Sequence, residues 1–390
     1  MNSLKVAIVG GGPSGLFLAG LLKKNRPDFS VSVFEQNQPE DTFGFGVVLA
    51  DTGLTKLEEA DEELIASIKN HMVFSYQQTI KLNDDSITIK KAGKGGGAIE
   101  RIKLLNLLKN NCLNLGVDLN FGYKIISNAS NFIQEFKSFD VVVGADGVNS
   151  VVRAVFEKEF CTSHNFLTNH FSWFGTEKKF ENPALVFRNY LGGNFIAHYY
   201  QYSSNMSTFV AECDHKTWEL FDFEKLQPSE IKKLFENIFA TELDGSVLIE
   251  NNSVWRQFPV IRSKNWSFDK YVIIGDALAS AHFSIGSGTR LAMEDSIALA
   301  NSLCLNDSNP NKALNDFKQL RFDSKDRMIR ASEQSFNWYE NVGEKMPINN
   351  IYQFVYSFMT RTGRIDHGRL KEQFPDLFAE LNRNQVALSL

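Results

Sequence analysis

Lys5-Val-Ala-Ile-Val9 runs directly into Gly10-Gly-Gly-Pro-Ser-Gly15, and this stretch decides the fold. The first five residues are apolar and β-branched, as a strand buried on both faces requires. Gly10, Gly12 and Gly15 fit the spacing G-x-G-x-x-G. The first permits a tight turn, the second lets backbone approach a pyrophosphate, and the third allows close helix–strand packing. Pro13 and Ser14 open a helix expected over Ser14–Lys24, whose amide-rich end carries partial positive charge. A second strand, Ser30–Phe34, ends at Glu35, 20 residues past Gly15. A carboxylate there accepts ribose hydroxyls, and an acid rather than an arginine argues against a 2′-phosphate.

Far along the chain lies a second signal of the same type. Tyr271-Val-Ile-Ile-Gly-Asp-Ala277 is an apolar run ending in glycine, followed by Gly286-Ser-Gly288 and a helix expected over Thr289–Leu303. Between the two signals stands Gly144-Ala-Asp-Gly147 after the strand Phe139–Gly144. One motif suggests a dinucleotide; the three together suggest FAD retained as a redox catalyst. Asp276, at a strand's carboxyl end, faces the crevice where α/β sheets bind ligands. The helix after Gly288 aims its positive end where charge accumulates on a reduced flavin. The bland alternative is a capping Asp with loop glycines. Asp146 either orders a loop at the pyrophosphate or makes an Asx-turn. Arg101, opening the helix Arg101–Leu115, either reaches a phosphate bidentately or is a solvated surface residue. His282 lies between Asp276 and Gly286, beside any flavin held there; acid–base or substrate-orienting work competes with a purely structural role.

Composition sets the limits. The 390 residues suffice for two core-forming units. Net charge is −5, so nothing draws the chain to nucleic acid or an anionic membrane. No apolar run approaches the ~20 residues that span a bilayer. The start leads into a strand within a few residues, so no signal peptide and a cytoplasmic location are expected. Cys112, Cys161, Cys213 and Cys304 are scattered and read as thiols, and the seven histidines show no metal-ligand spacing.

The expected fold class is α/β. A discontinuous Rossmann-like FAD-binding domain would comprise 1–71, 98–164 and 263–345. A mainly antiparallel substrate-binding sheet, 72–97 and 165–262, would be inserted in it, and 346–390 would add C-terminal helices. Within the insert, Ala184–Tyr190, Asn194–Tyr202 and Met206–Cys213 read as strands, the last two joined as a hairpin at 203–205. Asp41–Leu49 reads as too irregular for an element, 54–69 as one helix, and Lys91–Gly97 as a loop.

With these motifs in view, the chain resembles the single-component FAD-dependent aromatic hydroxylases, the p-hydroxybenzoate hydroxylase class. Phe43-Gly-Phe-Gly-Val-Val-Leu49, Ala197-His-Tyr-Tyr-Gln-Tyr202 with Ser207-Thr-Phe-Val210, and His282-Phe-Ser-Ile-Gly-Ser-Gly-Thr289 are similar to a narrower branch. That branch contains salicylyl-CoA 5-hydroxylase, 2-aminobenzoyl-CoA monooxygenase and the tryptophan-hydroxylating enzyme of violacein biosynthesis. The resemblance implies NAD(P)H and O2 as co-substrates and hydroxylation of an activated ring on a small aromatic substrate, free or linked to CoA or a carrier protein. It also implies that Gly10, Gly12, Gly15, Glu35 and Arg101 hold the ADP half of FAD. Asp146 would support the pyrophosphate, and Asp276 the pyrophosphate–ribityl region. His282–Gly288, including Gly286, would lie against the isoalloxazine. The class histidine is absent at 279, where this chain has Ala279, and its usual prolines are replaced by His282 and Phe283.

Phe45, His198, Tyr200, Phe209 and His282 are the candidates to line an aromatic slot, with 198 and 200 on one strand face. Three other functions compete: an indole hydroxylase, a flavin reductase or dehydrogenase that does not oxygenate, and an idle FAD-binding partner. A halogenase fits poorly, because Val254-Trp-Arg-Gln-Phe-Pro259 does not match W-x-W-x-I-P.

Overall fold

The computed structural model describes residues 3–41, 44–49, 51–90, 95–126, 128–348, 350–384 and 386. Phe43 of the branch-like segment lies outside them. The first sheet has six strands in the order Ser267–Phe268, Tyr271–Ile273, Val141–Gly144, Lys5–Val9, Ser30–Glu35, Asp118–Phe121. All pairs are parallel except the edge pair with Ser267–Phe268. Val6, Ile8, Val142, Val143, Val272 and Ile273 are inaccessible to solvent, because helices cover both faces. Each such side chain contributes roughly 1.5–3 kcal/mol by leaving water. The strand Lys5–Val9 pairs with Ser30–Glu35 on one side and with Val141–Gly144 on the other. Connections leave in opposite directions at that point, which opens a crevice at the carboxyl ends.

The second sheet has seven strands in the order Arg256–Ser263, Thr162–Thr176, Ser207–Cys213, Gly193–Gln201, Ala184–Tyr190, Gln77–Leu82, Asp85–Lys90. Only Gln77–Leu82 with Ala184–Tyr190 is parallel. The register sets two faces. His198 pairs with Val210, Tyr200 with Thr208, Trp173 with Val210 and Phe171 with Glu212, so these seven share one face with Gly175. Tyr199 pairs with Phe209 on the other. That other face packs with Trp218, Phe235, Phe239 and Leu243 from the helical stretch 215–243. At the Gln77–Lys90 end, Ile80, Leu185, Phe187 and Ile196 pack instead against Trp338, Tyr339, Phe354 and Phe358 of the C-terminal helices.

Three local expectations are corrected. Asp41–Leu49 is not all irregular, since Gly46–Leu49 is a strand in a small third sheet with Gly96–Glu100 and Val73–Ser75. Gly96 and Gly97 therefore belong to a strand, not a loop. A Cβ on Gly97 would lie 2.6 Å from the Met72 methyl, so its bareness serves strand packing. The helix over 54–69 is two helices, Asp51–Ala60 and Glu62–Lys69, divided where Asp61 accepts from Leu64 N–H and caps the second. The long strand Thr162–Thr176 escaped the reading because His164–Phe166 are exposed and show no alternation.

Candidate active site

The glycine turn is shaped by exclusion. A Cβ on Gly15 would sit 2.0 Å from Gly10 O, and one on Gly10 (φ +109°) 2.5 Å from Ala145 O. A Cβ on Gly12 would meet nothing within 4 Å. Gly10 and Gly15 thus answer to protein packing, whereas Gly12 borders open space. Gly11 has its own reason: its Cβ would press on Glu35 Cβ at 2.9 Å. Gly11 N–H donates to Glu35 Oε2 at 2.7 Å, and Asn37 N–H and Nδ2 donate to Oε1. That leaves Glu35 fixed, with lone-pair capacity to spare for a ribose hydroxyl. Pro13 stands at the start of the helix Pro13–Asn25 and Ser14 follows it.

The other two signals meet this turn. Asp146 Oδ2 accepts from Val151 and Val152 N–H at the start of the helix Val151–Val155. Its Oδ1 is buried and has no hydrogen-bond partner among the described residues. Burial pushes the Asp146 carboxyl up from its ordinary range. Arg153 reaches across, donating to Ala277 O at 3.0 Å and to Val148 O, and so fastens the loop after Gly144 to the Gly275–Ala277 turn. Gly275 (φ +61°) turns the chain where few side chains would fit. Its N–H donates to Asp295 Oδ2 at 2.9 Å.

Beneath the turn lies a buried ionic network that the sequence reading missed. Asp295 also accepts from Arg321 Nε at 2.9 Å and from Lys325 Nζ. Arg321 further pairs with Glu294 at 3.0 Å, and Glu294 with Arg290. The signal was the adjacent acid pair Glu294-Asp295 within a largely buried helix, Gly288–Leu305. Asp276 is half-buried; burial raises its carboxyl, with Lys325 and Arg101 pulling it back. Arg101 N–H donates to Phe45 O at 2.8 Å. Its guanidinium makes no ion pair among the described residues, and burial lowers its proton affinity while Asp276 and Tyr200 restore some of it. An unpaired cation, an orphaned carboxylate oxygen and a bare Gly12 around one crevice fit a dinucleotide diphosphate with its ribityl chain.

The structure brings four of the five pocket candidates together. Phe45 lies against Gly175, where a Cβ would be 2.4 Å from its ring. Tyr200 Oη donates to Gly46 O at 2.8 Å, and Gly46 N–H donates to Thr208 Oγ1. Burial pushes the Tyr200 phenol up to about 12. His198 Nε2 meets Glu212 Oε2 at 2.9 Å, and Glu212 Oε1 accepts from Asn169 Nδ2. The His282 ring stands 4.7 Å from Phe258 and 4.1 Å from Phe283, centroid to centroid. Phe283 in turn touches Phe171, Trp173 and His198. Gly286 (φ +55°) and Gly288 carry the loop past Val48 into the helix that follows. Phe209 is the exception and is corrected: it faces away, stacked on Tyr199 and packed on Phe239. Phe171, Trp173, Phe258 and Tyr339 were missed, as single aromatics on unrecognised strands or a helix.

This is the architecture of a flavoprotein oxygenase: a dinucleotide crevice with an aromatic-walled sheet face beside it. Residues 8–39 match the NAD(P)-binding Rossmann-like domain. The chain is 35% identical over 376 residues to salicyloyl-CoA 5-hydroxylase of a Streptomyces species, covering 94% of this chain and 71% of that one. It is 29% identical to protodeoxyviolaceinate monooxygenase of Chromobacterium violaceum, covering 92% and 94%. Among solved structures, 2-methyl-3-hydroxypyridine-5-carboxylic acid oxygenase superposes with a TM-score of 0.69 at 16% identity, covering 93% and 96%. The chain belongs to the FAD-dependent aromatic-ring monooxygenases, in the family of salicyloyl-CoA 5-hydroxylase. Its cofactor is FAD, and NAD(P)H and O2 are its co-substrates. Among the described residues no helix is long and apolar enough to cross a membrane.

Proposed function

We propose that this enzyme hydroxylates an activated benzene ring carried as a thioester, of the salicyl or aminobenzoyl type. The observation that supports this best is an aromatic cluster: Phe171, Trp173, Phe258 and Phe283 stand together on one side of the sheet, with His198 and His282 as polar groups against them. The identity with the acyl-CoA relative supports the thioester. Bound FAD would supply the activated oxygen. Gly10, Gly12, Pro13, Ser14 and Gly15 would cradle its pyrophosphate, with Asp146 and Arg101 supporting the phosphates. Glu35 would take the ribose, Asp276 the ribityl region, and the loop through Gly286 and Gly288 the ring system. Phe45 and Tyr200 would close the slot.

The two histidines differ in what they can do. Glu212, as a carboxylate, only accepts, so His198 donates Nε2–H to it and leaves Nδ1, which has no partner among the described residues, to take a proton from a ring hydroxyl or amine. Removing that proton makes the ring electron-rich and open to attack. The surrounding aromatics exclude water, which would discharge the activated oxygen unproductively. We place this chemistry in the cytoplasm, where its nicotinamide co-substrate is made, and assign the mainly antiparallel sheet as the substrate-binding unit.

A second reading, hydroxylation of an indole, is favoured by the relative from Chromobacterium violaceum. One assay tests both: NADH and NADPH oxidation by the purified flavoprotein with salicylyl-CoA, anthraniloyl-CoA, tryptophan and phenols, with product mass recorded. A product one oxygen heavier from a thioester, and none from tryptophan, is expected. Oxidation with none of the rings modified would overturn the reading.

A further inference from the structure

His282 is buried, and the amide and hydroxyl of Ser284 both face its Nδ1. Ser284 N–H points at Nδ1 from 3.3 Å, and Ser284 Oγ lies 2.8 Å from it. Ser284 Oγ is also 2.8 Å from Ser335 Oγ, which in turn accepts from Arg361 Nε at 3.0 Å. Arginine has five donors and no acceptor, so proton direction along this chain is settled from one end. Ser335 accepts from Arg361, and its own hydrogen has Ser284 Oγ as its one partner among the described residues. Ser284 must then pass its hydrogen to Nδ1. The backbone N–H of Ser284, at 3.3 Å the longer and weaker contact, favours the same state without fixing it, since an amide cannot accept through its nitrogen. Nδ1 therefore holds a lone pair, and the ring hydrogen sits on Nε2.

We propose that Arg361, through Ser335 and Ser284, locks His282 in the Nε2–H form, so that the ring presents a hydrogen-bond donor to an oxygen of the bound aromatic substrate. Nε2 has no partner among the described residues, so the donor is unspent in the protein itself. A carbonyl next to the ring, as in an aryl thioester, supplies a matching acceptor; an indole does not. This rests on the proposed thioester reading and makes His282 a group that selects substrate, not a base.

Arg361 itself is suited to anchor the chain. It has no carboxylate partner among the described residues that would compete for its donors. Instead it donates to Ser284 O at 2.9 Å and Phe358 O at 2.7 Å, and its guanidinium carbon lies 3.8 Å from the Phe358 ring centroid. A cleft of about 690 Å³ is bordered by Arg361, Gln334 and Asn337. His282 N–H donates to Ser332 Oγ, so the loop backbone and the ring are both tied to the helix Pro310–Glu340. Burial, with His198 and Arg361 adding to it, holds His282 well below its usual protonation range.

Nitrogen-15 spectra of the histidine-labelled holoenzyme read the tautomer directly, with His282 assigned as the signal lost in His282→Gln. The expected result is a single Nε2–H species at pH 7.5. Ser335→Ala should yield a mixture of tautomers, and Ser335→Thr, which keeps the hydroxyl, should restore the single form. A wild-type Nδ1–H or imidazolium signal would overturn the proposal, as would an unchanged spectrum in Ser335→Ala. A second measurement addresses the substrate. Binding to the oxidised holoenzyme, followed by flavin absorbance, is compared for anthraniloyl-CoA and its thioether analogue, which lacks the carbonyl. The wild type should favour the thioester by about tenfold, one hydrogen bond's worth, and His282→Leu should erase that preference. Equal binding of both by the wild type would overturn the donor role. If no thioester is hydroxylated at all, the functional reading fails, while the tautomer result stands or falls separately.

Discussion

The nucleotide crevice and the aromatic pocket adjoin, yet they are made of different material. The crevice is shaped by backbone: Gly10, Gly12, Gly15 and Gly275 are there because a side chain would strike a carbonyl, strain a turn or fill the ligand's space. The pocket is shaped by side chains from three separate strands and two loops, where most walls ask for an apolar side chain rather than for one particular residue. A constraint on backbone admits one amino acid and so marks the sequence. A constraint on a wall admits many and leaves little trace.

Substituting within the glycine turn tests that contrast most severely. Gly15→Val drives a side chain into Gly10 O, and no soluble folded protein is expected, as judged by yield and circular dichroism. Gly12→Val, three residues earlier, should fold and emerge colourless, because its side chain occupies space the protein leaves open. A yellow Gly12→Val protein would show that the open space is not where the pyrophosphate lies. Next in size is Phe209→Ala. It should cost about 3–5 kcal/mol of stability in denaturant titration, with KM for the substrate unchanged, since Phe209 faces away from the pocket. A raised KM at full occupancy of FAD would return Phe209 to the site.

Asp276→Ala sharpens the crevice side. Losing a charge-assisted hydrogen bond is worth roughly 1.5–3 kcal/mol, or ~10–150-fold in FAD affinity, measurable by equilibrium dialysis. On the pocket side, His282→Ala should keep its flavin while hydroxylated product per NAD(P)H falls severalfold and hydrogen peroxide rises. Normal coupling would remove His282 from the site. The smallest effect concerns pH. The folded-state proton affinity of His282 is depressed, so the unfolded chain, titrating near pH 6.5, binds the proton first. Stability present above that pH should decline as pH falls from 6.5 towards 5.5, by at most ~1.4 kcal/mol per unit from this group. His282→Gln should flatten that part of the profile.

What the sequence disclosed follows the same division. The Rossmann-like start, the Gly275–Asp276 turn and the hairpin at 203–205 were legible because turn chemistry and strand alternation are local. The face of Phe209 was not. It depends on register: Phe209 pairs with Tyr199, while His198 and Tyr200 look the other way, and pairing between strands is invisible in either strand alone. Asp295, Arg321 and Lys325 were passed over because charges at helical spacing resemble a solvated face, and only packing shows them buried. Arg361 was hidden likewise, since its partners Ser335 and Ser284 are 26 and 77 positions away.

The strand Val141–Gly144 bears on how the chain is born. It needs Lys5–Val9 on one side and Tyr271–Ile273 on the other, and Arg153 ties its following loop to Ala277. At a ribosomal pace of roughly 5–20 residues per second, the third partner leaves the ribosome on the order of ten seconds after the first two. Throughout that wait the half-built sheet exposes an edge of Val142 and Val143, which will finally be dry. Nascent chains stalled before Tyr271 are therefore the form in which this enzyme would most need a chaperone.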